Sequence, residues 1–340
     1  MPLKIQSRLF GVLGILIFAC SAPALAQVTE TVGSRALGMG GAFVAVANDS
    51  TATWWNPGAL PAGPIVDATF GRSLTEAGDL LPARRERTMG LAVLTPPLGL
   101  SYYRFHVTDI QASNPTGAAS AIRQEGRGGV PTRSLAASQL GITLVQTIAS
   151  GFHAGATLKY LRGTTRTGQG DGLRSAGDLL DEADGLGGGD THGVFDVDVG
   201  LLAVAGGVRL GALVRHLREP TFAAGGETMR LPRQARIGAA FDGEAVGRAP
   251  FIVSLDADVT RVPTATGDRR NVAFGVERWL RDKRLGVRGG GRVNTVGRRD
   301  GTATAGVSIA PRAGLYLEAY AARGGSADDR GWGAGARVSF

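Results

Sequence analysis

The sequence predicts an all-β protein, a transmembrane antiparallel β-barrel of about 14 strands, and three observations carry this prediction. From residue 63 onward, apolar residues alternate with small or polar ones in segments of about ten residues. The connections between these segments are short and long in turn. Residues 1–26 have the features of an export signal, and no later apolar run approaches the roughly 18 residues of a membrane-spanning helix.

The export signal has a short basic region with Lys4 and Arg8, an apolar stretch over residues 9–20 and a cleavage site at 24–26. A lipoprotein signal is the alternative, because residues 17–20 loosely resemble a lipobox. The bulky Phe18 and the Ala-x-Ala site downstream favour cleavage instead. Since the only cysteine lies inside this segment, the mature chain is predicted to have no disulfide, no thiol chemistry and no cysteine metal site.

The alternating segments each have one apolar face and one small or polar face, as expected of half-buried strands. The last segment shows this most clearly, because its apolar face carries every second residue from Trp332 to Phe340. The fourteen predicted strands lie near residues 63–73, 87–95, 98–107, 134–147, 152–164, 193–204, 207–217, 231–242, 249–260, 269–279, 283–294, 301–310, 313–323 and 331–340.

The connections support a barrel in a second, independent way. If both termini are periplasmic, the even-numbered connections should be short and the odd-numbered ones long. The short ones include residues 96–97, 149–151, 206 and 311–312, and the long ones include residues 74–86, 108–133, 165–192 and 218–230. This alternation is typical of outer-membrane barrels and hard to obtain in a β-sandwich.

The net charge is +8, and it falls to +6 once Lys4 and Arg8 are removed with the signal. The positive charges are scattered, which indicates a solvated surface and, as an alternative, contacts with lipopolysaccharide or anionic solutes. No basic cluster is interleaved with aromatic residues, and this excludes nucleic acid as a partner.

A glycine-rich stretch precedes the first strand. Four glycines fall within nine residues, which predicts a compact, closely packed element, and Asn56-Pro57-Gly58 predicts a turn after it. The glycines approach a nucleotide-binding GxGxxG, but the strand that should precede such a loop is missing. The four glycines are Gly33, Gly38, Gly40 and Gly41.

The stretch also carries a family resemblance. Residues 35–42 (RALGMGGA), then Asn48-Asp49 and Trp55-Asn56-Pro57, resemble the N-terminal signature of the FadL-like outer-membrane barrels, including their PorV-type relatives. One departure is Gly58, because the family pattern usually has alanine after Asn-Pro. The resemblance implies that residues 27–62 fold into the lumen as a plug and that 63–340 form the barrel. The signature residues are Arg35, Gly38, Gly40, Gly41, Asp49, Asn56 and Pro57.

The function that the resemblance implies is passive uptake of hydrophobic small molecules, such as long-chain fatty acids or hydrocarbons, across the bacterial outer membrane. The alternative is a PorV-type barrel that does not transport and serves protein secretion or surface attachment. An enzyme is not predicted, because the sequence contains no Gly-x-Ser-x-Gly motif. No cofactor and no metal site are predicted, because the four histidines are isolated.

The acidic loop at 165–192 is a candidate for substrate capture. Its centre can form one or two amphipathic helical turns. In FadL-like barrels such loops shape an apolar groove, which makes Leu173, Leu179 and Leu180 the candidates here. A flexible acidic loop with incidental Ca²⁺ affinity is the alternative.

Charged residues on the small or polar strand faces are predicted to line the lumen. Ladders of arginine and acid there would first hold the wall together and only second form a conduction path. The candidates are Asp196, Asp198, Arg236, Asp256, Asp258, Arg288 and Arg337. The C-terminal Phe340 resembles the aromatic end of outer-membrane barrels that the barrel assembly machinery reads. Outer-membrane lipid and lipopolysaccharide are further expected partners, together with secretion components in the PorV-type alternative.

Overall fold

The computed structural model describes residues 32–78, 81–111, 129–224, 227–264, 266–325 and 330–340. Fourteen strands form a closed antiparallel barrel, so the predicted fold class is confirmed. Two two-stranded hairpins stand outside the barrel sheet. The predicted export signal and the first residues of the predicted plug lie outside the described residues.

The barrel strands pair with their neighbours in chain order once the two hairpins are passed over, and the last strand closes the barrel against the first. The first nine strands are β1 (Asp67–Ala77), β2 (Ala83–Thr95), β3 (Leu98–Ile110), β4 (Gly129–Ala149), β5 (Phe152–Asp171), β6 (Asp190–Ala205), β7 (Val208–Arg215), β8 (Thr221–Ala224) and β9 (Glu227–Arg230). The remaining strands are β10 (Gln234–Asp242), β11 (Phe251–Asp258), β12 (Val262–Thr264), β13 (Gly267–Arg269), β14 (Asn271–Leu280), β15 (Leu285–Asn294), β16 (Gly301–Arg312), β17 (Leu315–Gly324) and β18 (Arg330–Ser339). The hairpins are β8–β9 and β12–β13.

The helices among the described residues are short. They are α1 (Ser34–Gly38), α2 (Ala52–Trp55), α3 (Ala176–Asp184) and two 3-10 helices at Pro57–Ala62 and Glu244–Val246. In the described part of the chain, no helix has the length and apolar character needed to cross a bilayer.

The two faces of the barrel wall differ as the alternation predicts. Outward-facing side chains are apolar and exposed, as with Leu255 and Phe195. Their neighbours Asp256 and Asp196 point inward and are buried. A closed barrel with an apolar outer belt and a polar inner face is the arrangement that a bilayer stabilises.

The strands β4 and β5 are longer than predicted. They pair with each other from Ala149 and Phe152 at the short-turn end to Gly129 and Asp171 at the other end. The alternation that located the strands is lost in this extension, because its outward face carries Thr, Arg and Gly, with Val130 as its single aliphatic residue. The wall therefore continues past the apolar belt on the side of the long loops.

The long loops cover this extended wall on both faces. Inside the mouth, the hairpin β8–β9 buries Phe222 and Met229 against the inward-facing Leu135 and Leu161. Outside, α3 packs on the wall over β2 to β5. Neither element was predicted to lie there, because their sequences show only short apolar patches.

Candidate functional site

Residues 32–63 fill the lumen and form its core; they are called the plug from here on. Trp54 is fully buried, and its ring lies 5.1 Å from that of Tyr103 and 5.2 Å from that of Phe105 on the inner wall. Within the plug, Phe43 packs edge-on against Trp55 at 6.0 Å. Aromatic pairs of this geometry add to the free energy that burial alone provides.

The charged residue of α1 fixes the plug to the wall. Arg35 donates from Nε and Nη2 to the two carboxylate oxygens of Glu277 on β14, at 2.8 and 2.7 Å. Its Nη1 donates to Asp49 at 2.9 Å and to Asn48 at 2.6 Å, both within the plug. A bidentate guanidinium–carboxylate pair is directional as well as strong, so Arg35 sets the orientation of α1 in the lumen.

Burial and charge act in opposite directions on the plug's own ionisable groups. Burial by itself would lower the pKa of Arg35, but the Glu277 carboxylate outweighs it and the pKa is raised. Burial would raise the pKa of Asp49, but Arg35 and Arg337 outweigh it and hold that pKa below its usual value. Both groups are therefore charged, and the plug rests on a buried ion network.

A second contact joins the plug backbone to β11. One carboxylate oxygen of Asp256 accepts hydrogen bonds from the backbone N–H groups of Phe43 and Val44 at 2.8 and 2.9 Å. Ser254, two residues earlier on the same face, donates to the carbonyl of Ala42 at 2.7 Å. These bonds satisfy backbone groups of the plug that have no regular secondary structure to pair them.

The plug glycines allow backbone to pack on backbone. Gly40 has φ +70°, and a Cβ placed there would lie 2.6 Å from the backbone nitrogen of Gly291 on β15. A Cβ at Gly38 would lie 3.2 Å from the Cα of Gly306 on β16. The sequence predicted this close packing, and the structure supplies the partner strands.

The turn Asn56-Pro57-Gly58 packs against β6. Asn56 donates from Nδ2 to the carbonyls of Val44 and Leu201, both at 2.8 Å, and its Oδ1 accepts from the N–H of Gly58 at 3.0 Å. A Cβ at Gly58 would lie 2.6 Å from the carbonyl oxygen of Gly200. This close approach is the physical reason why glycine stands here in place of the alanine of the family pattern.

We expect Gly58→Ala to lower the free energy of unfolding by about 1–3 kcal/mol, because the added methyl group overlaps the backbone of β6 and the wall can make room only by shifting. Chemical unfolding in detergent micelles measures this. Gly187→Ala is the matched control, because no atom lies within 4 Å of a Cβ built there. Equal stability of the two variants would show that the plug turn does not pack tightly enough against β6 to exclude a methyl group.

Two of the predicted lumen charges belong to a buried cluster. Lys159 on β5 lies 3.0 Å from Asp196 and 2.6 Å from Asp198, both on β6. His216, just after β7, lies 2.8 Å from Asp196 through Nδ1. One ligand atom each from Asp196, Asp198 and His216 lie within 4.8 Å of one another, close enough for a metal ion. The Lys159 ammonium lies within hydrogen-bond distance of all three groups and supplies the cation.

The other predicted lumen charges pair across neighbouring strands and with the plug. Arg236 on β10 donates to Asp258 at 2.6 Å and to the carbonyl of Gly41 at 3.1 Å. Arg288 on β15 donates to Glu277 at 2.8 Å, beside Arg35. Arg337 on β18 lies 3.8 Å from Asp67 and 4.0 Å from Asp49.

The loop leucines that were candidates for capture have separate positions. Leu179 and Leu180 are buried in a cluster with Ile110 and Val130. Ile110 shares its face of β3 with the exposed Leu100, so this cluster lies on the outer surface of the wall. The two leucines therefore attach α3 to the wall rather than line a groove. Leu173 is 77% exposed, and its role in capture stays a prediction.

Two cavities lie on opposite sides of the plug. The upper cavity, on the long-loop side, has a volume of about 120 Å³ and is bounded on the plug by Leu37, Gly40, Gly41 and Trp55. The lower cavity, on the short-turn side, has a volume of about 190 Å³, and Arg35 and Asn48 bound it on the plug. The helix α1 therefore separates the two spaces, with Leu37 facing one and Arg35 facing the other.

Sequence reasoning missed three parts of this site. It did not find Lys159 as the partner of Asp196 and Asp198. The alternation on β5 places this lysine on the inner face of the wall, and an inward-facing lysine needs an acidic partner, so a signal was present. It did not find Arg215, whose guanidinium lies 3.6 Å over the Trp54 ring. It also missed the hairpin β12–β13, which covers the upper cavity with Val262 and Thr264.

Comparison of the fold with solved structures gives a consistent result. The toluene transporter TbuX of Ralstonia pickettii superposes with a TM-score of 0.61 at 14% identity, over 92% of this chain and 99% of that one. A FadL homologue of Pseudomonas aeruginosa superposes with a TM-score of 0.62 at 10% identity, over the same shares. The chain has the FadL-like barrel fold.

The toluene transporter TodX of Pseudomonas putida has the same FadL-like fold, with a TM-score of 0.58 at 12% identity over 92% of this chain and 99% of that one. Compared by sequence, the chain matches no family model and no curated protein. At these identities the comparison shows the fold alone, so the function of this barrel has to be argued from its own side chains.

Proposed function

We propose that this protein is a passive channel of the bacterial outer membrane for small molecules with an apolar body, closed at rest by its plug. The observation that carries the proposal is the pair of cavities separated by α1. A molecule in the upper cavity reaches the lower one when α1 moves. No energy source is needed, because the solute follows its own concentration gradient.

The contacts that hold the plug are suited to such movement. They include ion pairs and hydrogen bonds between the plug and the wall, as at Arg35 and Asp256, beside the apolar packing around Trp54. When α1 moves, water or solute can pair with the polar groups that these contacts release, and this offsets part of the cost of breaking them. The toluene transporters that share this fold support an apolar small molecule as substrate.

We further propose that the chain is exported through a cleaved signal at residues 1–26, and that the strand ending at Phe340 is read by the barrel assembly machinery. Lipid would contact the apolar belt of the wall, and lipopolysaccharide would contact the rim above it. A cleaved N-terminus measured by mass spectrometry on protein from outer-membrane fractions tests the first of these points.

The transport proposal is tested by uptake of radiolabelled toluene and of a labelled long-chain fatty acid, in cells with and without the protein. We expect faster uptake of one or both substrates when the protein is present. Equal rates across hydrophobic substrates would contradict transport.

A second candidate is the non-transporting role in secretion or surface attachment. The observation that favours it is the dense ion network of the lumen, where Arg35, Glu277 and Arg288 are all buried. A lumen held shut by ion pairs suits a rigid docking body. Equal uptake rates, together with loss of a surface-attached protein in cells lacking this chain, would favour this candidate.

A further inference from the structure

The outer face of the wall carries a patch of arginine directly above its apolar belt. On β3 and β5 the outward face changes from tyrosine to arginine within two residues, at Tyr102 and Arg104 and at Tyr160 and Arg162, and all four residues are exposed. Both strands begin at short turns, so the change lies toward the long loops. Long loops are extracellular in outer-membrane barrels, and the patch therefore faces the outer leaflet.

Arg104 and Arg162 lie in one row across three strands. Each is the register partner of Ser138 on β4, which lies between them. Neighbouring strands are about 4.8 Å apart, so the Cα atoms of the two arginines are about 10 Å apart. Arginine has a long flexible stem that lies along apolar surface while its charged end moves freely. The two guanidinium groups can therefore converge on one head group above Ser138.

The wall does not neutralise the charge of this row. Neither Arg104 nor Arg162 forms an ion pair with any residue that the structure describes. Asp184 of α3 is an acid on the same face, 3.9 Å from His106 of β3, but the guanidinium of Arg87 already holds it at 2.6 Å. Basic groups at the membrane boundary attract anionic lipid head groups. The row thus presents two positive charges to the lipid beside it.

The row directly below the arginines is apolar and largely aromatic. Its members are register partners in turn, from Tyr102 on β3 through Leu140 and Tyr160 to Phe195 on β6. All four side chains are exposed, and the rings of Tyr160 and Phe195 lie 5.0 Å apart. Aromatic side chains on a barrel's outer face mark the level of the lipid head groups. Acyl chains therefore pack on this row and below it, while a head group lies beside the arginines.

We propose that Arg104 and Arg162 bind the phosphate groups of a lipopolysaccharide molecule, whose acyl chains pack on the aromatic row beneath. Guanidinium groups recognise phosphate with paired, charge-assisted hydrogen bonds. Lipopolysaccharide fits the patch because it lies in the outer leaflet and carries phosphate on its sugar head group and acyl chains on the same molecule. This inference rests on the proposed contact of lipopolysaccharide with the rim, and it assigns that contact to a defined site.

The test is native mass spectrometry of the purified full-length protein in detergent, titrated with four probes. These are phosphorylated lipid A, the same lipid A after removal of its phosphates, phosphatidylglycerol and inorganic phosphate. We expect saturable binding of phosphorylated lipid A, at least about tenfold tighter than that of each other probe. The dephosphorylated lipid isolates the phosphate contribution, because its acyl chains are the same.

Three double variants assign the binding to the patch. Arg104→Gln with Arg162→Gln should weaken the binding of phosphorylated lipid A about tenfold and leave that of dephosphorylated lipid A unchanged. Arg104→Lys with Arg162→Lys keeps both charges and should lose less affinity than the glutamine pair. Arg281→Gln with Arg312→Gln removes the same charge from exposed positions at the short-turn end and should change nothing. Heat-modifiable mobility on gels verifies that every variant has a folded barrel.

Any other probe bound as tightly as phosphorylated lipid A, or lipid A affinity that is the same in the Arg104→Gln, Arg162→Gln variant, would overturn the inference. Toluene uptake by cells separates this failure from that of the transport proposal. Toluene uptake without selective lipid A binding overturns only the lipid site, whereas selective lipid A binding without uptake of any substrate supports the site and contradicts transport.

Discussion

Replacing Arg35 by alanine should lower the free energy of unfolding by about 3 kcal/mol and raise the ion conductance of the barrel, because the plug loses its directional contact with the wall. Arg35 is buried and binds Glu277 on β14 and Asp49 in the plug. Breaking a buried pair by removing one partner typically costs about 3–5 kcal/mol. The lower end applies here, because Arg288 still lies 2.8 Å from Glu277 in the variant.

Two measurements examine this expectation. Urea unfolding in detergent gives the change in stability, and recordings in planar bilayers give the conductance of single barrels. Arg312→Ala removes an exposed arginine at the short-turn end and is the control. If Arg35→Ala loses stability while its conductance equals that of the unchanged protein, the plug does not depend on Arg35 for closure.

Replacing Lys159 by methionine should lower the free energy of unfolding by about 3–5 kcal/mol, because two buried carboxylates lose their shared cation. Lys159, Asp196 and Asp198 are all at most 1% exposed. Methionine keeps the apolar stem of the side chain as far as Cε, so the loss reports mainly the missing ammonium group rather than a large cavity. Asp198→Asn in the same chain should recover part of the loss.

A matched ion pair on the surface provides the control. Lys283 lies 2.5 Å from Glu244, and both side chains are more than half exposed. Lys283→Met should therefore change stability by less than about 1 kcal/mol. Similar losses of stability for Lys159→Met and Lys283→Met would mean that the buried cluster contributes no more to the free energy of unfolding than an exposed ion pair.

Loss of the lysine should also create a metal site. In Lys159→Ala, the ligand atoms of Asp196, Asp198 and His216 remain close together and the ammonium between them is gone. Carboxylate and imidazole are ligands that Zn²⁺ accepts, so added Zn²⁺ should restore part of the lost stability. Thermal unfolding with Zn²⁺ and with a chelator measures this, and identical melting temperatures would contradict it.

The strands of the barrel wall could be predicted from the sequence because the alternation that marks a strand is a local pattern. Alternation at Trp332 to Phe340 and in thirteen other segments located every barrel strand, and it also placed Asp196, Arg236 and Asp256 on the inner face. Alternation assigns a residue to a face but not to a partner. The pairing of Lys159 with Asp196 depends on the register between β5 and β6, which no local pattern encodes.

The parts that sequence reasoning missed are those that tertiary packing decides. Leu179 and Leu180 have the same amphipathic spacing whether α3 faces the lumen or the outer wall. The position of α3 is set by its packing on the outer surface of β2 to β5, which the helix sequence does not encode. Gly58 departs from the family pattern, and only the approach of Gly200 explains it. Such contacts join residues far apart in the chain.

The central claim is that the plug moves as solute passes, and a reversible covalent tether between plug and wall tests it most directly. The hydroxyl oxygens of Ser50 in the plug and Thr69 on β1 are 2.8 Å apart, so two sulfur atoms in their place are within disulfide reach. Thr164 on β5 and Thr191 on β6 have the same 2.8 Å separation, but both lie on the wall. Ser50→Cys with Thr69→Cys fixes the plug, whereas Thr164→Cys with Thr191→Cys is the matched control.

The measurement is toluene uptake by cells carrying each cysteine pair, before and after reduction. The account predicts that the oxidised plug tether abolishes uptake, that reduction restores it, and that the wall pair has no effect in either state. Undiminished uptake with the plug tether fully oxidised would contradict the account, because solute would then cross the barrel without displacing the plug.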